Sequence, residues 1–148
     1  MLMITDNILL NTLLAMLTAV GAALITTPIV KAIAPHIGAV DIPKDDRRMH
    51  TKPMPLCGGI AIFLGFSVAM LLFSEMTAES WGIWLGGLAI VILGVVDDIF
   101  TLNAKLKFVL QFVAALIPVC FGLTMEHINV FGYNLHLGWF AYPLTLLW

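Results

Sequence analysis

Charged residues divide this chain into five long uncharged runs, and that pattern constrains its fold more than any other feature of the sequence. The runs are 7–30, 53–74, 80–96, 108–125 and 127–148. Each approaches the roughly 20 residues that a helix needs to cross a bilayer. Hydrophobic residues also make up 61% of the chain and charged residues only 11%, which excludes an ordinary soluble domain. We therefore predict an all-α fold, a polytopic transmembrane helical bundle with four complete spans and the start of a fifth.

The predicted elements follow these runs, with small adjustments at their ends. They are helices at about 8–30, 56–74, 80–96 and 105–125, a small hairpin within 126–136, and a fifth helix that starts near Gly138. The hairpin rests on a loose alternation of apolar and polar residues. The sequence contains no internal repeat or low-complexity segment, so we treat 1–148 as part of a single integral-membrane domain.

The distribution of basic residues predicts how the helices are oriented. All seven lie in two segments, one holding Lys31, Lys44, Arg47, Arg48 and Lys52 and the other Lys105 and Lys107. Because Lys and Arg are concentrated in cytoplasmic loops, we expect the loops at about 31–55 and 97–104 to be cytoplasmic and the N-terminus to lie outside. Any chemistry on a cytosolic substrate would then belong to these two loops.

The first of these loops is dense in side chains that bind anions. Seven charged residues lie between Asp41 and Lys52. Arg47, Arg48, His50 and Lys52 together suit a diphosphate, because guanidinium forks match the geometry of phosphate oxygens. On composition alone the simpler interpretation is favoured, namely a basic loop that only sets the topology.

The second loop begins with two adjacent carboxylates, Asp97 and Asp98, directly after the third uncharged run. The C-terminal end of a helix disfavours carboxylates because of the helix dipole, so the pair needs a compensating cation. Lys105 and Lys107 could supply part of it. A divalent metal carried by a nucleotide diphosphate could supply more, since Mg²⁺ takes one or two carboxylates together with phosphate oxygens. A solvated pair that marks the membrane boundary is the alternative, and the sequence weighs the two about equally.

The fourth predicted helix begins with three polar residues, Lys105, Lys107 and Gln111. Snorkelling of a long side chain to the membrane surface suffices to explain Lys107. Gln111 lies deeper, about one and a half turns beyond Lys105. It should therefore face protein or a polar cavity rather than lipid.

Three motifs in this order carry a family resemblance. They are Asp41-x-Pro43-x-x-x-Arg47-Arg48-x-His50-x-x-Pro53-x-Pro55-x-x-Gly58-Gly59, then Gly94-Val95-Val96-Asp97-Asp98, then Lys105-x-Lys107-x-x-x-Gln111. The set resembles the polyprenyl-phosphate N-acetylhexosamine-1-phosphate transferases, also called glycosyltransferase family 4, and in particular the undecaprenyl-phosphate GlcNAc-1-phosphate transferases. The segment 52–59 is closer to this branch than to the related phospho-MurNAc-pentapeptide transferases.

The resemblance implies an enzyme of the bacterial plasma membrane, a multi-pass protein that transfers GlcNAc-1-phosphate from UDP-GlcNAc to undecaprenyl phosphate. The product would begin a cell-wall or surface polysaccharide such as teichoic acid. Mg²⁺ or Mn²⁺ would be the cofactor, and no nucleic-acid partner is implied. A homodimer is a further hypothesis. The implied roles are catalysis and metal binding for Asp97 and Asp98, and substrate binding for Arg47, Arg48, His50, Lys105 and Gln111.

Two departures from the family pattern qualify these expectations. Many relatives have a further acid three residues after the Asp pair, where this chain has Thr101, so a compact site of three carboxylates is not expected. The family's later motifs, an Asn- and Asp-rich loop, a Gly-Asp loop and a His-rich loop, do not occur before Trp148. Because those loops are expected to complete the site, we expect the 148 residues to be an N-terminal fragment that is inactive alone.

Two other functions remain open from the sequence. Within the same chemistry, the chain could transfer phospho-MurNAc-pentapeptide. In a different class, an inward-facing basic loop and a membrane-edge Asp pair would suit a non-catalytic transport or assembly module. That second alternative predicts no affinity for nucleotide sugars and leaves the first-loop motif unexplained.

Overall fold

The structure is a computed structural model that describes residues 8–41, 54–55, 57–130 and 133–147. Within these ranges the chain is mostly helical, with two small antiparallel ladders. The elements in chain order are α1 Ile8–Ile33, β1 Val40–Asp41, β2 Met54–Pro55, α2 Gly58–Phe73, α3 Ala78–Phe100, α4 Ala104–Cys120, β3 His127–Val130, β4 Tyr133–His136, a 3-10 turn Gly138–Phe140 and α5 Ala141–Leu147.

The outer surface of the helices is apolar. Helices α1 and α3 are long and apolar enough to cross a bilayer, and almost none of their most apolar stretches is buried within the chain. Helix α2 is equally apolar but has 16 residues. Side chains that a soluble protein would bury, such as Leu9 at 71% and Phe108 at 67%, are instead exposed. The predicted helical membrane protein is thereby confirmed, while the count of four spans and part of a fifth stays a prediction.

Two of the elements predicted after the fourth helix are confirmed. His127–Val130 pairs with Tyr133–His136 in antiparallel register, which is the hairpin expected within 126–136. The segment that follows turns helical at Gly138, first as a 3-10 turn and then as α5. The positive φ of Gly138, 49°, explains why a glycine begins this turn.

The ends of α3 and α4 differ from the prediction. The loop expected at 97–104 is reduced to three residues, because α3 continues to Phe100 and α4 begins at Ala104. Helix α3 stops where Thr101 takes up left-handed backbone angles, with φ at 50°. Helix α4 begins where the Asn103 side chain accepts a hydrogen bond from the Lys105 N–H at 3.2 Å. The Asp pair therefore lies inside the last turn of a helix rather than in a loop.

Small residues allow the helices to pack closely. A side chain at Gly65 of α2 would collide with the backbone of Ala19 in α1, and one at Gly86 of α3 would lie 2.9 Å from Pro118 of α4. Such close contacts between backbones are common in membrane bundles, where small residues line helix interfaces. A hydrogen bond of 2.9 Å from the Trp84 indole N–H to the Ser67 hydroxyl joins α2 to α3.

The most deeply buried cluster lies where the C-terminal end of α1 meets the start of α2. It consists of Val30, Ala34, Ala39, Cys57 and Ala61. Val95 and Ile99 from the end of α3 pack against it, together with Ile60. Beside the cluster, β1 pairs with β2 in the register Val40 to Pro55 and Asp41 to Met54, which joins the two ends of the segment 42–53. This cluster brings the base of the first predicted loop to the end of α3.

Candidate active site

The Asp pair lies next to the base of the first basic loop, although some 40 residues separate them in sequence. Asp98 is half-buried near Cys57, the residue that precedes α2. Burial raises the pKa of the Cys57 thiol, and the negative charge of Asp98 raises it further. Because Val95 and Ile99 hold this end of α3 against the same cluster, the second motif of the family and the Cys57-Gly58-Gly59 end of the first lie together.

Asp97 uses both of its carboxylate oxygens to close the turn between α3 and α4. Its Oδ2 accepts a hydrogen bond from the Lys107 ammonium at 2.5 Å, and its Oδ1 accepts one from the Leu102 N–H at 3.0 Å. The Leu102 amide would otherwise lack a partner where the helix ends. Lys107 supplies the cation that a carboxylate at a helix C-terminus requires. Asp97 therefore has the compensating cation that the sequence predicts for the pair.

Asp98 is the member of the pair that remains available. Among the residues described here, no donor hydrogen-bonds to its carboxylate and no cation forms a salt bridge with it. The two neighbours differ in their contacts, because the α3–α4 turn engages Asp97 by two hydrogen bonds whereas Asp98 lies close to Cys57. Asp98 therefore presents a half-buried carboxylate at the base of the first loop, without a hydrogen-bonded partner in the described ranges.

Lys107 is the residue whose role the sequence assigned least well. Snorkelling was sufficient to explain it, yet it forms an ion pair with Asp97. Its suggested part in compensating the Asp pair is confirmed. Lys105, suggested for the same task, is exposed and forms no ion pair within the described ranges. The two lysines differ in role because the α3–α4 turn has only three residues. The loop predicted from the sequence, 97–104, is longer than this turn.

Gln111 lies on α4 one turn beyond Lys107 and lines a groove of about 440 Å³ between α4 and α5. The other walls of this groove are apolar and include Phe108, Pro143 and Leu146. The structure does not bring Gln111 to the Asp pair, so its role in substrate binding stays a prediction. The same holds for Lys105.

The basic residues of the first loop, Arg47, Arg48 and His50, lie outside the described residues. The structure describes the two ends of the loop that carries them. The paired ends at β1 and β2 and the buried residues Ala39 and Cys57 join both ends of this loop to the end of α3. The two ends of this loop, rather than its basic residues, are therefore what the structure places beside Asp98.

A divalent metal fits this site only with help from its substrate. Within the described residues, no three His, Cys, Asp or Glu side chains come together as a metal-binding group. Asp98 offers one hard oxygen ligand group, which suits Mg²⁺ when phosphate oxygens and water complete the shell.

The second half of the chain matches a known protein family. The family model described as glycosyl transferase family 4 matches residues 80–148, which include the Asp pair, Lys107 and Gln111. No solved structure matches the chain.

Three curated relatives illustrate the similarity. A probable undecaprenyl-phosphate N-acetylglucosaminyl 1-phosphate transferase of Bacillus subtilis is 42% identical over 147 residues, which cover 97% of this chain and 40% of that protein. A decaprenyl-phosphate N-acetylglucosaminephosphotransferase of Mycobacterium tuberculosis is 34% identical over 72% of the chain and 29% of its own length. An undecaprenyl-phosphate alpha-N-acetylglucosaminyl 1-phosphate transferase of Salmonella typhimurium is 32% identical, over 78% and 32%.

The chain thus spans less than half the length of each of these relatives. Their similarity nevertheless extends over most of the chain, and the motifs quoted above lie within the region compared with the Bacillus subtilis protein. Taken with the family model, these matches identify the chain as a member of glycosyl transferase family 4.

Proposed function

We propose that this protein transfers GlcNAc-1-phosphate from UDP-GlcNAc to undecaprenyl phosphate, as the first membrane step in the synthesis of a cell-wall or surface polysaccharide. The observation that carries the proposal is the juxtaposition of Asp98 with the base of the basic loop. The names of the relatives, all polyprenyl-phosphate GlcNAc-1-phosphate transferases, support the general reaction. UDP as the carrier of the sugar phosphate is part of the proposal.

The chemistry requires anions to approach one another. An oxygen of the lipid phosphate attacks the phosphorus that bears the sugar, the anhydride bond to the uridine phosphate breaks, and UMP leaves with the bonding electrons. A new anhydride bond to the lipid phosphate has then formed, and no redox partner is needed. In such reactions catalysis consists largely of positioning and electrostatic stabilisation.

In our proposal, different charged residues bind the diphosphate and the metal. Arg47, Arg48 and His50 of the loop bind the diphosphate of the donor, and Lys105 offers an exposed cation on α4. Asp98 would hold Mg²⁺ or Mn²⁺ together with phosphate oxygens. When bound, such a metal supplies positive charge that stabilises the phosphoryl oxygens. Because Asp98 lies at the end of a membrane helix, a phosphate carried on a lipid can reach it without leaving the bilayer surface.

Transfer of label tests the proposed reaction. We expect the complete gene product, solubilised in detergent with undecaprenyl phosphate and Mg²⁺, to convert labelled UDP-GlcNAc into a lipid-linked product at about 1 per second or faster. It should also exchange labelled UMP into UDP-GlcNAc, because the reaction conserves the anhydride bond and is reversible. Reactions without lipid phosphate are the control. Incorporation from UDP-MurNAc-pentapeptide but not from UDP-GlcNAc would reject the proposed donor.

The proposal also fixes the orientation of α3, whose two ends carry Glu79 and the Asp pair. Since nucleotide sugars are cytosolic, the Asp pair must face the cytoplasm, as the positions of the lysines predict. In a variant without Cys57 and Cys120, a cysteine at position 79 should react with an impermeant maleimide on intact cells. A cysteine at position 105 should react only after the membrane is opened. The reverse pattern would be incompatible with the proposed reaction.

A further inference from the structure

The two carboxylates of the Asp pair have different surroundings, and Lys107 is the reason. The Lys107 ammonium contacts Asp97 Oδ2, and the exposed fractions of the two side chains are 42% and 21%. The second oxygen of Asp97 caps the Leu102 amide. Asp97 is thereby held between the last turn of α3 and the first turns of α4, whereas Asp98 has no hydrogen-bonded partner in the part of the chain that the structure describes.

The direction of Asp98 follows from that of Asp97. Leu93, one turn before Asp97, is buried, and Val95 and Ile99 on the adjacent face pack against the cluster that contains Cys57. Helix α3 can rotate about its axis only if it gives up one of these contacts. A cation that holds Asp97 against α4 therefore also fixes the rotation of the last turn, and with it the direction in which Asp98 is presented.

We propose that Lys107 is a positioning residue: its ion pair with Asp97 locks the end of α3, so that Asp98 alone is presented to the phosphate groups and the metal. The proposal rests on the proposed function and assigns separate tasks to two acids that the sequence could not distinguish. Lys107 acts through Asp97 and does not touch substrate. Without it, the turn at 101–103 loosens, and Asp97 becomes a second free anion beside the substrate phosphates.

A direct role for Lys107 in binding phosphate predicts different kinetics. An ammonium that binds the donor would be needed for affinity, so its removal would raise KM. Its removal would also lower activity in a protein whose Asp97 has already lost its charge. An ammonium that acts only through Asp97 would affect kcat, and its removal would have no further effect once Asp97 has lost its charge. A double-mutant cycle between the two residues separates these cases.

The cycle is best measured on the complete gene product with Lys107→Met, Asp97→Asn and the double variant. We expect each single change to lower kcat about 10-fold, because a small misplacement of a reacting group is enough for such a loss. The double variant should be no slower than the slower single variant, and KM for UDP-GlcNAc should stay within about twofold of the parent. Lys107→Arg, which keeps the charge and the reach, should recover kcat to within about threefold of the parent.

A structural measurement tests the lock without any turnover. Hydrogen–deuterium exchange of the amides at 101–103 reports on the hydrogen bond from the Leu102 N–H to Asp97. In Lys107→Met we expect these amides to exchange about 10-fold faster than in the parent. Lys105→Met is the matched control, since it removes a neighbouring lysine that has no ion pair in the described residues, and it should leave this exchange unchanged.

These measurements distinguish a failure of the proposed role of Lys107 from a failure of the proposed function. Unchanged exchange in Lys107→Met overturns the lock, whatever the activity. Faster exchange combined with a raised KM and losses that add in the double variant overturns the positioning role and makes Lys107 a substrate ligand. A parent that transfers no sugar phosphate from any UDP donor overturns the proposed function and the catalytic consequence of the lock, while the exchange measurement still decides whether Lys107 holds Asp97.

Discussion

Replacing Asp98 by asparagine is expected to lower the transferase rate about 10²-fold or more, the loss typical when one electrostatic group that stabilises a transition state is removed. Asn keeps the shape of the side chain but removes the negative charge that a metal–diphosphate needs. The fold should not suffer, because no hydrogen bond or salt bridge to Asp98 would be lost within the described residues. Removing a carboxylate from a helix C-terminus should even relieve about 0.3–1 kcal/mol.

The measurement is the initial rate of lipid-linked product formation, together with thermal stability in detergent, for the complete gene product and its Asp98→Asn variant. Glu79→Gln is the matched control, because Glu79 is an exposed acid of the same helix at its opposite end. It should retain the parental rate. A near-parental rate in Asp98→Asn would remove the catalytic assignment and leave Asp98 as a membrane-boundary residue.

Adding a single methyl group at Gly65 is expected to destabilise the fold by about 1–3 kcal/mol, the usual effect of overpacking a tight contact. A Cβ at this position would collide with the backbone oxygen of Ala19 and would lie 2.9 Å from the Ala23 Cβ. Neither neighbour can rotate away, because one is backbone and the other is a methyl group next to it. Helices α1 and α2 would have to move apart.

Gly21→Ala is the control for this change, since nothing lies within 4 Å of a Cβ there. It should leave stability unchanged or raise it by up to about 1 kcal/mol, because alanine favours the helix over glycine. Thermal unfolding of Gly65→Ala and Gly21→Ala in the same detergent compares the two. Equal midpoints would mean that α1 and α2 are not packed as closely as described.

Most of the helices could be predicted from the sequence, because a helix that crosses a membrane must be apolar and uncharged over its length. The absence of charge over 7–30 and 80–96 was enough to place α1 and α3, and the alternation over 126–136 was enough to place the hairpin. The C-terminal end of α3 was missed by four residues and its N-terminal end by two. Two adjacent acids suggested the start of a loop, because a helix C-terminus disfavours them, and only the contact between Asp97 and Lys107 explains why the helix continues.

The sequence proposes the members of the candidate site but does not predict how they are arranged. The motif order pointed to Asp97 and Asp98 as one unit, because neither composition nor spacing distinguishes two neighbouring acids. The difference between them depends on a turn of three residues and on which lysine of α4 reaches back across it. Such a contact depends on how each helix is rotated about its axis, to within a fraction of a turn. A helix that is apolar on all sides carries no sequence pattern that predicts this rotation.

The ladder between Val40–Asp41 and Met54–Pro55 limits how far the basic loop can act. Twelve residues connect two points that lie side by side, so even a fully extended chain could carry Arg47 no more than about 20 Å from the ladder. In the proposed reaction, the guanidinium groups would therefore act on a phosphate at the end of α3 as tethered groups, with an effective concentration of about millimolar or above. Under that proposal, a change in the loop sequence would alter selectivity for the donor while the membrane helices and the Asp pair stay the same.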